Sequence, residues 1–213
     1  MRQFIFPVVF VLLLTLKHII DKSSQGMGED KKAFLEKESE ANFVRRQNID
    51  NLPYIRIKLS KLPMGVYEGD DERIAYDIKT SEEELTALSE KRILNLSGVS
   101  NTELKLTYGP ANLDALSSYD ENYTRLIFNL NRLGLALFEA GLIKESEDTL
   151  YYACELGSDI RATYNTLLDI YSARNDKEAI LNLSAIAGKL NSLPAANIRE
   201  HIDACLTSME EEV

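Results

Sequence analysis

Apolar and small residues recur with helical spacing in the second half of the chain, and the same pattern occurs twice. Asn175 in the second copy occupies the position that Gly141 has in the first, and asparagine tolerates the left-handed backbone conformation better than most residues. A repeat of about 34 residues predicts pairs of antiparallel helices that stack on one another. The first copy contains Leu130, Leu133, Gly134, Leu137, Gly141, Ser146, Leu150, Ala153 and Leu156. The second copy contains Tyr164, Leu167, Leu168, Tyr171, Asn175, Ala179, Leu183, Ile186 and Leu190.

These two copies resemble the tetratricopeptide repeat (TPR) over residues 127–190. In that family a small residue lets the two helices of a repeat approach, and large apolar residues fill the space between them. The chain departs from the pattern at Ser146, where alanine is usual, at Asn175, and in lacking a proline at the end of the first unit. Because stacked repeats need about three units and a cap, we expect residues 194–209 to form a C-terminal capping helix. Helices over residues 111–123 and 82–94 would cover the other end.

The resemblance implies a concave groove, lined by the first helix of each repeat, that holds a peptide or protein segment. Asparagine suits such a groove because its amide offers both donors and an acceptor to a peptide backbone. An alternative stays open, in which the three apolar groove candidates pack on the preceding helix. The positions that match groove positions are Phe128, Asn131, Leu135 and Phe138 in the first repeat and Arg161, Asn165 and Asp169 in the second.

The N-terminus carries an uncharged apolar run from Phe4 to Leu16, which Ile19 and Ile20 extend past Lys17. The run is short for a span of about 20 residues, but Lys17 can snorkel to the membrane surface. A cleaved secretory signal is the competing interpretation, and its usual small-residue cleavage site is missing here. We therefore predict a retained membrane anchor over residues 1–20.

Basic residues near this anchor lie mostly on its C-terminal side. Arg2 precedes the run, whereas Lys17, Lys22, Lys31 and Lys32 follow it. This asymmetry favours a single-pass protein of the cell membrane with its C-terminal domain in the cytoplasm. The order of anchor, stalk and repeats resembles uncharacterised membrane-anchored TPR-like proteins of Gram-positive bacteria, and that resemblance implies no activity.

Between the anchor and the repeats the sequence predicts a polar stalk and a small extended element. Residues 21–50 are polar and predict a stalk with a juxtamembrane helix. Residues 51–110 predict an extended element plus a helix that packs on the repeats. Within them Tyr54–Leu59 alternates like a strand, and it would either pair with a neighbour such as Ile74–Ile78 or lie extended across the helices. Ser81, followed by three glutamates, predicts a helix start.

With residues 111–213 assigned to TPR-like hairpins and a capping helix, the predicted fold class is mainly all-α.

The formal net charge is −10. An acidic chain without a stripe of lysine and arginine is a poor ligand for phosphate backbones, so nucleic acid is not an expected partner.

The residues offer little for catalysis. The chain has two histidines, one of which, His18, adjoins the apolar run, and it contains no phosphate-binding glycine loop, nucleophile elbow or Cys-x-x-Cys motif. The nearest carboxylate cluster, Asp114, Asp120 and Glu121, is better explained by helix capping. The acidic turn at residues 68–72 lacks the ligand spacing of a calcium loop. We therefore predict no enzyme activity, no metal and no cofactor.

Two functions from different classes follow. The first is a membrane-tethered adaptor or scaffold whose TPR-like groove binds a peptide or protein partner. The alternative is a structural subunit of a membrane complex or homo-oligomer, without reversible ligand capture. A third possibility, an exported envelope protein, applies if the N-terminus is a cleaved signal.

Overall fold

The computed structural model describes residues 30–211. They are mainly helical, which confirms the predicted all-α class at that level. No helix in this stretch is both long and apolar enough to cross a membrane, and the predicted anchor at residues 1–20 lies outside it. The helices are α1 (30–42), α2 (Glu72–Ser89), α3 (Asn101–Tyr108), α4 (Leu113–Glu139), α5 (Ile143–Glu155), α6 (Arg161–Ala173), α7 (Lys177–Ala187) and α8 (Ala195–Glu211).

The described residues divide into two units. The first unit consists of residues 30–49 and 100–113, and the second of residues 50–99 and 114–211. Residues 100–110, which the sequence analysis grouped with the extended element, therefore belong with α1. In the stalk region α1 ends at residue 42, before the end of the polar segment that predicted it.

In the first unit, a fully buried asparagine holds the segment after α1 against the end of α3. The Asn112 Nδ2 donates to the backbone oxygens of Gln47 (2.8 Å) and Tyr108 (2.7 Å), and Arg46 Nε donates to Asn112 Oδ1 (3.1 Å). Gly109 has φ +83, and a Cβ on it would lie 2.9 Å from the Arg45 carbonyl oxygen. Glycine is therefore required there both for its backbone conformation and for the close approach.

Helix α2 begins nine residues before the predicted start, so the prediction at Ser81 is wrong. Asp71 caps the helix, because its side chain accepts from the backbone N–H groups of Arg73 (2.9 Å) and Ile74 (3.0 Å). Ser81 lies fully buried inside α2, and the helix ends at Ser89 rather than near residue 94. A side chain can cap a helix only at its first turn, where the backbone N–H groups have no partner within the helix. In α2 these groups follow Asp71, and Ser81 lies too far inside the helix to reach them.

Of the two alternatives for Tyr54–Leu59, the hairpin is wrong, because no strand forms in residues 30–211 and the expected partner Ile74–Ile78 is part of α2. The segment packs across the helices, as the other alternative predicted. Ile55 makes a single antiparallel bridge to Ile93, with its N–H 2.9 Å from the Ile93 oxygen. We call residues 50–67 the strap; this segment packs along the helices as irregular chain, with turns at residues 50–51 and 64–65 and a 3-10 turn at Leu59–Lys61. Its apolar side chains pack on the core: Ile55, Ile57, Leu59, Leu62, Met64 and Tyr67.

The second unit contains two apolar cores. The first joins α2 and α4 to one side of α5, and the second joins α5, α6, α7 and α8. The sequence predicted two separate helices here, one at residues 111–123 and one as the first helix of the first repeat. In the structure both are parts of one continuous helix, α4. A helix, α8, is present where the capping helix was expected, and its Ile198 and Ile202 are buried in the second core.

The helices after α4 follow a 34-residue period. Helix α7 begins 34 residues after α5, and α8 begins 34 residues after α6. The turn that follows α4 contains Gly141 with φ +77, and the turn that follows α6 contains Asn175 with φ +54. The prediction that Asn175 replaces glycine in a left-handed turn is confirmed.

Candidate functional site

Helix α6 separates a buried face from an exposed polar stripe. Arg161, Asn165 and Asp169 recur every four residues, and each is exposed. Residues four apart lie one above the other on a helix, so the three side chains form one line. The opposite face is buried in the second core through Tyr164, Leu167, Leu168, Ile170 and Tyr171. The apolar spacing of the sequence thus fixes which side of α6 faces solvent.

A cleft of about 680 Å³ opens where the polar stripe of α6 meets the start of α8. Arg161 and Asn165 line it from α6, and Asn197 lines it from α8. Leu193, at its edge, is 98% exposed. The remaining lining residues are Asp159, Ile160, Ala162 and Pro194. We call this space the α6–α8 cleft.

Asn165 is held in place by α8. Its Oδ1 lies 2.8 Å from Nδ1 of His201. When His201 donates this hydrogen bond, both N–H groups of the Asn165 amide remain for a ligand. An amide fixed in this way suits the binding of a peptide carbonyl, because its orientation is set before the ligand arrives.

Two tyrosines position the loop that brings Asp159 and Ile160 into the cleft. Tyr123 Oη donates to the backbone oxygens of Leu156 (3.2 Å) and Gly157 (3.0 Å), and Tyr164 Oη donates to the Ser158 oxygen (2.8 Å). Burial, reinforced by the negative charge of Asp159, raises the pKa of both phenols well above the usual range. Both hydroxyls are donors in these contacts, which tie the loop to α4 and α6.

The groove candidates of the first repeat lie outside this cleft. Asn131 Oδ1 accepts from the Thr163 hydroxyl (2.9 Å), a bond that joins α4 to α6. Phe138 packs against the second core, and Leu135 is half-buried. Phe128 is 57% exposed. Of the seven predicted groove residues, the structure brings Arg161 and Asn165 together in one cleft, with Asp169 further along the same stripe.

Sequence reasoning missed the contribution of α8 to this site. Pro194, Asn197 and His201 lie in a segment interpreted only as a cap, and Leu193 directly precedes it. The signal was available, because extending the 34-residue period once more places the start of α8 beside the start of α6.

Among the acidic candidates, Asp120 makes a structural contact, and so does the neighbouring Asn122. Asp120 Oδ1 accepts from the Leu96 N–H (2.9 Å), and Asn122 Nδ2 donates to the Arg92 oxygen (3.0 Å), so both hold the chain that follows α2. Asp114 lies in the first turn of α4. Among the residues that the structure describes, no group of three or more histidine, cysteine, aspartate or glutamate side chains is arranged to hold a metal ion.

No family model matches this chain, and the comparisons found no similar curated protein and no similar solved structure.

Proposed function

We propose that this protein is a membrane-tethered adaptor that binds an extended peptide or protein segment along the polar stripe of α6 and into the α6–α8 cleft. One observation carries the proposal: Arg161, Asn165 and Asp169 form an exposed line on a helix whose other face is buried, and that line borders an open cleft. A fixed amide, a guanidinium and a carboxylate together offer donors and acceptors to a peptide main chain.

The repeat geometry supports a TPR-like assignment for α4 to α8. Gly134 and Leu150 are in close contact between α4 and α5, and Ser146 Oγ donates to the Gly134 oxygen (2.7 Å). The 34-residue period and the left-handed turns at Gly141 and Asn175 are further support. In such an arrangement α4, α6 and α8 are the first helices of successive units, which is the surface where repeat proteins bind their ligands.

The tether rests on the sequence of residues 4–16, and the balance of basic residues favours a cytoplasmic C-terminal domain. Such an adaptor would hold its partner at the inner face of the membrane.

A permanent structural subunit is the second candidate, and an observation in the first unit favours it. Phe34, Leu35 and Phe43 lie in or directly after α1 and are 57%, 55% and 87% exposed. Several large apolar side chains exposed to solvent on one segment are typical of a surface that a partner protein covers. In this case the partner would be bound through α1, and the polar stripe of α6 would be irrelevant.

Crosslinking and affinity capture from native membranes separates the two candidates. The bait is the full chain, compared with a variant that carries Asn165→Ala and Asp169→Ala. An adaptor loses its main captured partner in the variant, because both changes remove polar groups of the stripe. A structural subunit keeps that partner and loses it only when Phe34 and Leu35 are changed to serine.

The matched control carries Glu83→Ala and Thr86→Ala on the exposed side of α2, which removes one carboxylate and one polar side chain at similar spacing. Circular dichroism must show that all variants are folded. Equal capture by the wild type, the stripe variant and the control would refute the adaptor proposal.

A further inference from the structure

A second cleft, of about 470 Å³, lies between α5, α6 and α7, away from the polar stripe. Three tyrosines and three carboxylates line it: Tyr151, Tyr152, Tyr171, Glu147, Asp148 and Glu155. We call it the tyrosine cleft. Lys61 of the strap is a cationic lining residue, and the carboxylates of the cleft also pair with Arg174 and Lys144.

Two basic side chains of this protein, Lys61 and Arg174, contact residues that line the cleft, and both make the same two kinds of contact. Lys61 Nζ lies 5.4 Å from the Tyr152 ring centroid and 3.2 Å from Glu155 Oε2. The Arg174 guanidinium lies 5.4 Å from the Tyr171 ring centroid and donates to Glu147 at 2.6 and 3.0 Å. Each cation combines the face of a tyrosine with a carboxylate, an arrangement that stabilises positive charge.

A third tyrosine and carboxylate, Tyr151 and Asp148, line the same cleft. They are three residues apart on α5, so they are neighbours on one side of the helix. Asp148 pairs with Lys144 at 3.1 Å on the same helix, with side chains that are 52% and 78% exposed. An exposed pair of this kind contributes little to stability and is easily exchanged for another cation.

We propose that the tyrosine cleft binds a basic segment of a partner protein and that an arginine side chain of this segment contacts Tyr151 and Asp148. Arginine fits better than lysine, because its planar guanidinium stacks on an aromatic ring while donating to a carboxylate. The acidic character of the whole chain favours the approach of such a segment. This surface is separate from the α6–α8 cleft, so the inference does not depend on the proposed function.

The test measures binding of a labelled, capped peptide with three arginines separated by glycines, by fluorescence anisotropy. The protein is the full chain in an uncharged detergent. A peptide of the same length with citrulline in place of arginine has the same shape without the charge. We expect the arginine peptide to bind more tightly than the citrulline peptide, and added salt to weaken its binding.

Two substitutions locate the site. Asp148→Asn is expected to weaken binding about fivefold, because one charge-assisted contact is lost. Tyr151→Leu should weaken it similarly, whereas Tyr151→Phe should bind like the wild type, since the ring face is retained. The matched control is Glu83→Gln on α2, where Glu83 forms a comparable exposed pair with Lys79.

Equal weakening by Asp148→Asn and Glu83→Gln would show that only the general charge of the protein attracts the peptide, and would overturn the proposal. Equal affinity for the arginine and citrulline peptides would also overturn it. Loss of binding in Asp148→Asn, with Glu83→Gln unchanged and both proteins folded, supports it.

Discussion

Gly134 is a point of close contact between α4 and α5. A Cβ built on it would lie 2.4 Å from two atoms of the fully buried Leu150 side chain. Ser146 reinforces this contact, because its buried hydroxyl donates to the Gly134 oxygen. Glycine costs a helix interior about 1 kcal/mol relative to alanine, so here the approach of the two helices outweighs helix propensity.

Replacing this glycine tests that balance. Gly134→Ala is expected to lower the free energy of unfolding by about 1–2 kcal/mol, since the strain of the added methyl group exceeds the gain in propensity. Urea denaturation followed by circular dichroism measures it. Gly188→Ala is the control, because a Cβ there would lie no closer than 3.4 Å to other atoms, and its effect should stay within about 0.5 kcal/mol. A stabilised Gly134→Ala protein would contradict the close contact.

The two cysteines should differ in reactivity, since burial raises the pKa of the Cys154 thiol to about 12, whereas Cys205 is half-buried near the Ser172 hydroxyl (3.2 Å). Only the thiolate reacts with maleimide, so at pH 8 Cys154 should be labelled only after denaturation. Mass spectrometry of Cys205→Ser and Cys154→Ser, each with one remaining thiol, measures the two rates. Equal rates in the folded proteins would contradict this prediction.

At the scale of elements, the sequence predicts the helices for which the residues at the start, the apolar period and the following turn all indicate the same structure. The helices of the repeats follow from apolar spacing, and Asn175 follows from its position in the turn. The strap could not be predicted in this way. Its alternating residues meet the conditions for a strand, but the chain that they pack on is helical, and one bridge to Ile93 replaces a ladder. Tertiary packing decides such a segment, because strand propensity depends on what lies beside it.

The Tyr152 hydroxyl is a side-chain acceptor that joins the backbone of the strap to α5, and Tyr152→Phe removes it. The backbone N–H of Lys58 donates to Tyr152 Oη (3.0 Å), and without the hydroxyl this partly buried donor is left unpaired. We expect a loss of about 1 kcal/mol in stability and faster hydrogen exchange at Lys58. Tyr76→Phe is the control, since Tyr76 is 65% exposed on α2. Unchanged exchange at Lys58 would show that the hydroxyl does not hold the strap.

At the scale of the whole molecule, the division into two units was not predicted from the sequence. The first unit joins segments that are about 60 residues apart, through contacts such as the buried Asn112 with Gln47, and no local pattern announces such a pairing. The candidate site, too, could be predicted from the sequence only in part. The sequence predicts the polar stripe of α6, whereas the cleft beside it depends on how α8 packs against α6.

The same unit should respond to acid through Glu38. This carboxylate pairs with Lys105 and accepts from the Thr102 hydroxyl (2.6 Å), and these contacts lower its pKa below the ordinary glutamate value of 4.5. When the pKa of a carboxylate is lower in the folded state than in the unfolded state, it stabilises the fold at every pH above its unfolded-state pKa. This stabilisation is lost as the pH falls through its folded-state pKa. We therefore expect hydrogen exchange in α1 and α3, corrected for intrinsic rates, to accelerate below about pH 4.5.

Glu38→Gln separates this effect from general acid unfolding. The variant should be less protected in α1 and α3 at neutral pH and should lose less protection on acidification, because the titrating group is absent. Exchange in α6, which belongs to the second unit and whose Tyr164 and Leu167 are buried, serves as the internal reference. If the wild type and Glu38→Gln lost protection in α1 at the same pH and to the same extent, Glu38 would not be the group that links acid to this unit.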